Sequence, residues 1–324
     1  MSSLNEIRKP VAEEMRKFED YFKSSMKSNI SLLNIITNYI LRHKGKQMRP
    51  LFVFLTAKMT GGINESTYHA ASLIELLHTA TLIHDDVVDE SYERRGFFSI
   101  NALWKSKVAV LLGDYLLAKG LLLAINEKEY ELLNIVSDAV REMSEGELLQ
   151  IQKSRKLNIT KEEYFDIIRK KTATLIAACT ACGAISNGSN PELVARLKLF
   201  GEYIGMAFQI KDDLFDYQKS GIIGKPTGND IKEKKFTLPL IHALENSNAS
   251  DRQHIIRTIK RHNHNPKKVQ EVIEFTVQQN GIQFSEDKMH EYRKLALEQL
   301  SDIPDNEAKE SVVNLVDYVV TRKK

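Results

Sequence analysis

Cysteine is scarce in this 324-residue sequence, which contains two, Cys179 and Cys182. They form a C-x-x-C, but a redox pair calls for a strand-turn-helix context and a structural zinc for two more ligands. The flanking LIAACTACGAI supplies neither. It is small and apolar, and a spacing of three puts both thiols on one helical face, where cysteine serves as a small buried hydrophobe. An excess of one charge is also lacking: a net charge of +3 gives no argument for nucleic acid or for a membrane surface. Long apolar runs are missing too. The richest, Val108 to Ile125, is broken by Asp114 and Lys119 and falls short of the ~18 consecutive apolar residues of a membrane span. The opening MSSLNEIRKPVAEEMRKFEDYF mixes acids and bases and has no signal-peptide core. The expectation is a cytoplasmic protein with no transmembrane segment and no nucleic-acid partner.

Proline and glycine are few, seven and fifteen, and they sit mainly at joints. Between the joints apolar residues recur at three and four, as in Leu32, Leu33, Ile36, Tyr39 and Ile40, or Ala70, Leu73, Ile74, Leu77 and Leu82. Alternating β-branched runs are nearly absent, so no sheet is expected. Breaks fall at 45–50, 61–62, 96, 187–191, 221–228 and 260–268. With 42% hydrophobic and 27% charged residues and no Pro/Ser/Gly linker, the pattern predicts an all-α bundle of long antiparallel helices in one domain over residues 1–324. The basic KRHNHNPKK of 260–268 reads as a solvated loop.

Two carboxylate motifs carry chemistry. LIHDDVVDE holds Asp85, Asp86 and Asp89, and FQIKDDLFDY holds Asp212, Asp213 and Asp216; both are D-D-x-x-D in apolar helical surroundings. Members four apart share a helical face, where like charges repel. A cation resolves that conflict, and carboxylate oxygens are the hard ligands Mg2+ prefers, its shell completed by water and phosphate. Two such helices face to face could clamp a diphosphate. Protein cations for the diphosphate are at hand in Arg94 and Arg95 after the first motif, in Lys46 and Arg49 of GKQMRP, and in Lys171 and Lys225.

At this point the sequence resembles the trans-isoprenyl diphosphate synthases, collinearly over roughly residues 30–300. The resemblance rests on GKQMRP, LLHTATLIHDDVVDE with RRG, GDYLLAKG, MSEGE, KTATL, FQIKDDLFD, GKPTGND and KKFTLP. It implies a helical bundle around a deep central cavity and transfer of an allylic group to isopentenyl diphosphate. Mg2+, three ions per site, would be held by Asp85, Asp89 and Asp212, with Asp86, Asp213 and Asp216 in support. Lys46, Arg49, His78 and Arg95 fall where the family grips isopentenyl diphosphate. Arg94, Lys171, Lys225 and Lys235 fall where it grips the allylic diphosphate, and the oxygens of Thr172 and Gln209 face the developing cation. A homodimer is implied as well. Lys234 departs from the pattern, standing where the family usually has glycine.

The family's product grows beside the helix of the first motif, so residues before Asp85 set the tunnel floor. Ala80 and Thr81 are small there, with Leu77 and Ile74 further back, which implies a product of roughly C30–C50; each five-carbon unit buried contributes about 4 kcal/mol. The alternatives are a farnesyl or geranylgeranyl synthase, a class I terpene cyclase, and a regulatory subunit. GKQMRP speaks against the cyclase, and two undegraded aspartate motifs speak against the subunit.

Overall fold

The computed structural model describes residues 3–43, 45–94, 96–217 and 228–322, the side chains of 155 and 156 aside. Three N-terminal helices, α1 (Leu4–Arg8), α2 (Ala12–Ser25) and α3 (Ser31–Arg42), lead into α4 (Met48–Thr60) and the long α5 (Glu65–Val88). A ribbon of β1 (Glu93–Arg94) and β2 (Phe97–Phe98) then precedes α6 (Ile100–Asn126) and α7 (Tyr130–Lys156). After α8 (Lys161–Ile168) come a π-helical turn at Arg169–Ala173, α9 (Thr174–Ile185) and α10 (Pro191–Phe215). The short α11 (Asn229–Lys232) and α12 (Leu238–Glu245) follow, then α13 (Ala249–His262), α14 (Pro266–Gln278), α15 (Gly281–Glu298) and α16 (Glu307–Thr321).

The helical expectation holds, and breaks fall as read at 45–50, 61–62 and 187–191; the basic stretch 260–268 is not a loop throughout, because 260–262 end α13, 266–268 begin α14 and only 263–265 join them. The expectation of no sheet needs one correction. Glu93 and Arg94 pair antiparallel with Phe98 and Phe97 about Gly96. Two residues per strand are too few to leave an alternating pattern.

The core is built around α9, in which every residue from Thr174 to Ala184 is buried. A helix that is apolar all round belongs inside, and α9 packs against α4, α7 and α10. Cys179 and Cys182 lie in this layer, buried and unbonded, and burial pushes the Cys179 thiol up to about 12. One contiguous buried cluster runs from Ile7 to Val320.

Helix α6 runs along α5. By length and composition it could cross a membrane, counter to the expectation drawn from Asp114 and Lys119, because two charges do not outweigh its many leucines. A third of that apolar stretch is buried within the chain. Asp114 lies 3.4 Å from His84 on α5, and Lys119 donates to the Lys27 carbonyl. The outer face leaves Leu103, Val110, Leu111, Leu122 and Ile125 exposed.

Candidate active site

Both carboxylate motifs stand at helix C-termini. Helix α5 is started by an Asn64–Thr67 capping box and stops at Val88, where Asp89 caps it and Glu90 turns the chain with φ +50°. Helix α10 starts on Asn190 and Pro191 and stops at Phe215, with Asp216 as its cap. Asp89 and Asp216 are therefore one step past their helices rather than on a helical face, although the Asp89 amide still bonds the Asp85 carbonyl at 2.8 Å. A helix C-terminus carries partial negative charge, so carboxylates there are disfavoured until a cation joins them. Burial holds the Asp85 carboxyl above the usual range, with Glu147 and Asp89 adding to the shift and Lys171 and Arg94 opposing it.

The remaining aspartates are tied to protein groups. Asp86 is buried, and its Oδ1 accepts from Arg94 Nε at 2.8 Å and Nη2 at 2.7 Å. Asp216 is buried and accepts the backbone amides of Asn229 and Asp230, both at 2.9 Å, which holds the first turn of α11. Gly228 ahead of that turn has φ +77°, a conformation open to glycine at no steric cost. Asp213 is buried, and its carboxyl is pushed up to about 7 by burial and then by Asp230.

Two cavities lie beside these motifs. The larger, about 470 Å³, is lined by Lys46, Arg49, His78, Asp86 and Arg94, by apolar side chains such as Phe52 and Leu82, and by Thr172. The smaller, about 140 Å³, is lined by Lys171, Thr172, Gln209, Asp213, Asp230 and Lys235. Among the described residues Thr172 is common to both linings. Three of the four residues expected to grip isopentenyl diphosphate, Lys46, Arg49 and His78, thus share one cavity, and Lys171 and Lys235, expected to grip the allylic diphosphate, share the other with Thr172 and Gln209. Arg94 is the exception: it lines the larger cavity, held there by Asp86. Arg95 and Lys225 lie outside the described residues. Ile74, Leu77 and Ala80 are buried on α5, Leu77 facing Gly120 of α6, while Thr81 is half-buried; none of the four lines the larger cavity.

Close packing sets the cation side of the smaller cavity. A Cβ on Gly146 of α7 would stand 2.8 Å from Lys170 Cβ and 2.9 Å from the Lys171 amide. The bare glycine lets α7 approach the π-helical turn, and Glu147 pairs with Lys171 at 2.5 Å. π-turns of this kind are frequent at functional positions. Lys235 is bonded to Glu233 at 2.6 Å; burial alone would lower its pKa, but Glu233, Asp230 and Asp89 outweigh burial and raise it.

Two residues that the sequence did not single out complete the site. Arg322, just past α16, lies 2.5 Å from Asp212 Oδ1, with its guanidinium 4.2 Å from the centre of the Phe208 ring. It falls beyond the stretch that carries the resemblance, so no motif marked it. Tyr164 of α8 donates its hydroxyl to Asp213 Oδ2 at 2.6 Å. Its placement seven residues before Lys171, two helical turns away, was the available signal.

The donor chemistry fits a hard divalent cation. The two motifs offer only carboxylate oxygens, and among the described residues no three His, Cys, Asp or Glu side chains gather into a ready-made cage. Mg2+ sites of that sort draw one or two carboxylates from the protein and the rest from water and phosphate.

The sequence profile of the polyprenyl synthetase family matches residues 30–276. The chain belongs to that family. It is 33% identical over 321 residues to the octaprenyl diphosphate synthase of Escherichia coli, covering 99% of each chain. The solved polyprenyl synthase of Caulobacter crescentus, complexed with calcium and isoprenyl diphosphate, superposes with a TM-score of 0.90 at 31% identity over 99% of this chain and 98% of that one. A geranylgeranyl pyrophosphate synthase from Bacteroides thetaiotaomicron gives 0.84 at 39% identity over 99% and 100%. Membership makes the protein a prenyltransferase that synthesises polyprenyl diphosphates, on the all-helical fold of its family. The relatives span long and short products, so likeness does not set the chain length.

Proposed function

We propose that the chain extends an allylic diphosphate with isopentenyl diphosphate in successive head-to-tail trans condensations, releasing diphosphate each time, in one synthase domain over residues 1–324. The observation that carries this reading is the meeting of two cation-lined cavities at Thr172. Isopentenyl diphosphate takes the larger, where Arg49 offers a guanidinium fork and Lys46 a point charge, with His78 beside them and Arg95 as a further partner. The allylic diphosphate takes the smaller, against Lys171, Lys235 and Lys225, with Arg94 reaching across from Asp86. Asp85, Asp89 and Asp212 would hold Mg2+, three ions per site, and the bound ions would supply positive charge for the leaving diphosphate.

Thr172 and Gln209 present oxygens to the positive charge that develops on the allylic C1, in a site screened from water where fixed dipoles act strongly. The isopentenyl double bond attacks that carbon as its bond to oxygen breaks. The proton then lost from the new chain goes to the departing diphosphate, so the chain needs no base of its own.

The product is roughly C30–C50, supported by the small Ala80 and Thr81 above Leu77 and Ile74; longer chains bury more apolar surface. A homodimer is supported by the exposed leucines on the outer face of α6. The protein works in the cytoplasm. The test is incubation of the purified protein with Mg2+, farnesyl diphosphate and radiolabelled isopentenyl diphosphate, followed by sizing of the products. Label in long-chain diphosphates is expected. No incorporation with any of several allylic primers contradicts the reaction, and products that stop at geranylgeranyl diphosphate contradict the length alone.

A further inference from the structure

Four side chains form one hydrogen-bond chain across the floor of the smaller cavity. The Tyr164 hydroxyl meets Asp213 Oδ2 at 2.6 Å, Gln209 Nε2 donates to Asp213 Oδ1 at 2.8 Å, and Thr172 Oγ1 donates to Gln209 Oε1 at 2.8 Å. All four line that cavity, and Thr172 is the member that also opens on the larger one. The four come from three elements, α8, α10 and the π-helical turn, so the chain ties these together where the cavities meet.

Direction matters more than strength here. An amide can present either its oxygen or its NH2 to a neighbour, and the two ends have opposite polarity. Asp213 Oδ1 takes the NH2 of Gln209, which turns the Gln209 oxygen toward Thr172. The Thr172 hydroxyl must then spend its hydrogen on Gln209, leaving its lone pairs for the cavity. Were the amide reversed, Thr172 would accept from Gln209 and aim its hydrogen at the reacting carbon. An O–H dipole pointing that way repels positive charge. Tyr164 holds the opposite oxygen of Asp213 and so fixes which carboxylate edge Gln209 meets. This holds whichever of the two partners carries the proton between them.

Tyr164 itself is well placed to be rigid. Its helix is started by a Thr160–Glu163 capping box, its ring is buried, and it stands edge-on to Phe165 with centroids 5.5 Å apart. A phenol locked by packing orients its partner at little entropic cost.

We propose that Tyr164 is a positioning residue for prenyl transfer, acting through Asp213 to hold Gln209 and Thr172 with their oxygens toward the allylic carbon. The proposal rests on the reading that those two oxygens face the developing charge. It implies that the phenolic oxygen, not the ring, carries the effect, and that the effect reaches the reaction only through Gln209.

Tyr164→Phe keeps the ring and removes the oxygen. The expected result is a kcat lower by about 10–100-fold, the scale seen when a residue supporting a site from behind is removed. KM for each diphosphate should stay within about twofold, since neither is touched. Gln209→Leu should lose at least as much, and adding Tyr164→Phe to it should cost nothing further. Wild-type kcat in Tyr164→Phe, a rise in KM without a fall in kcat, or losses that multiply in the double variant would each overturn the proposal. If Tyr164→Phe does not fold, Tyr164→Leu, which also lacks the oxygen and does not overfill the buried site, gives the same additivity test in combination with Gln209→Leu. If instead Gln209→Leu and Thr172→Ala both keep wild-type kcat, the reading of the two oxygens fails, and the proposal about Tyr164 fails with it. Loss of kcat in those two variants with none in Tyr164→Phe leaves that reading intact and removes only the role of Tyr164.

Discussion

Arg322 Nη2 lies 2.5 Å from Asp212 Oδ1 while its guanidinium covers the rings of Phe208 and Phe215. A side chain at the end of the last helix therefore neutralises a carboxylate proposed above to hold Mg2+. Arg322→Ala should remove that competing cation and tighten Mg2+ binding to the substrate-free protein severalfold, in line with about 1 kcal/mol for a partly exposed ion pair. Titration calorimetry with Mg2+ alone measures it. Weaker or unchanged binding would show that the pair does not compete with metal.

Lys234 has φ +57°, in the left-handed region that costs a residue with a side chain roughly 1–2 kcal/mol. This accounts for the family's usual glycine at that position. Lys234→Gly relieves the strain but loosens the unfolded chain, so the net gain should be about 0.5–1 kcal/mol. Thermal melting should rise by about 1 °C with kcat unchanged. A lower melting temperature would mean that the Lys234 side chain contributes more than its backbone costs.

The Cys179 thiol is pushed up to about 12 by burial, and Cys182 is buried with it and raised for the same reason. At pH 8 both are protonated and shielded, and the thiolate is the reactive form. Iodoacetamide should leave the native protein unlabelled and take up two equivalents after denaturation. Rapid labelling of the native state would reopen a redox or metal role for the pair.

Ala80 stands five residues before Asp85 on the buried side of α5. Ala80→Phe should shorten the product by one or more isoprene units with incorporation retained, as read by chromatography of the extracted alcohols. An unchanged length would place the tunnel elsewhere.

How much of this was legible in advance depends on what kind of signal each residue leaves. The bundle showed in the three-four spacing of Ala70, Leu73, Ile74 and Leu77, because a helix that buries one face must repeat at that period. The breaks showed because glycine and proline cluster there. The β1–β2 ribbon did not, since two residues have no period. Asp85 and Asp212 stood out as acids in apolar company, a conflict that local sequence cannot hide. Arg322 and Tyr164 conflict with nothing near them in the chain. Their roles arise when α16 and α8 are brought against α10, a fact of packing that no short window contains. The placement of Arg94 is of the same kind: it was legible as a cation, but its cavity was set by the buried carboxylate of Asp86.

The central claim is that two diphosphates occupy two cavities that meet at Thr172, and substrate-resolved kinetics of Arg49→Ala and Lys235→Ala test it most directly. Each residue lines one cavity and not the other, and loss of a charge-assisted contact to phosphate costs about tenfold or more. Arg49→Ala should raise KM for isopentenyl diphosphate by about that factor and leave KM for the allylic diphosphate within about twofold; Lys235→Ala should do the reverse. Equal shifts in both constants, or the opposite pairing, would contradict the two-cavity account.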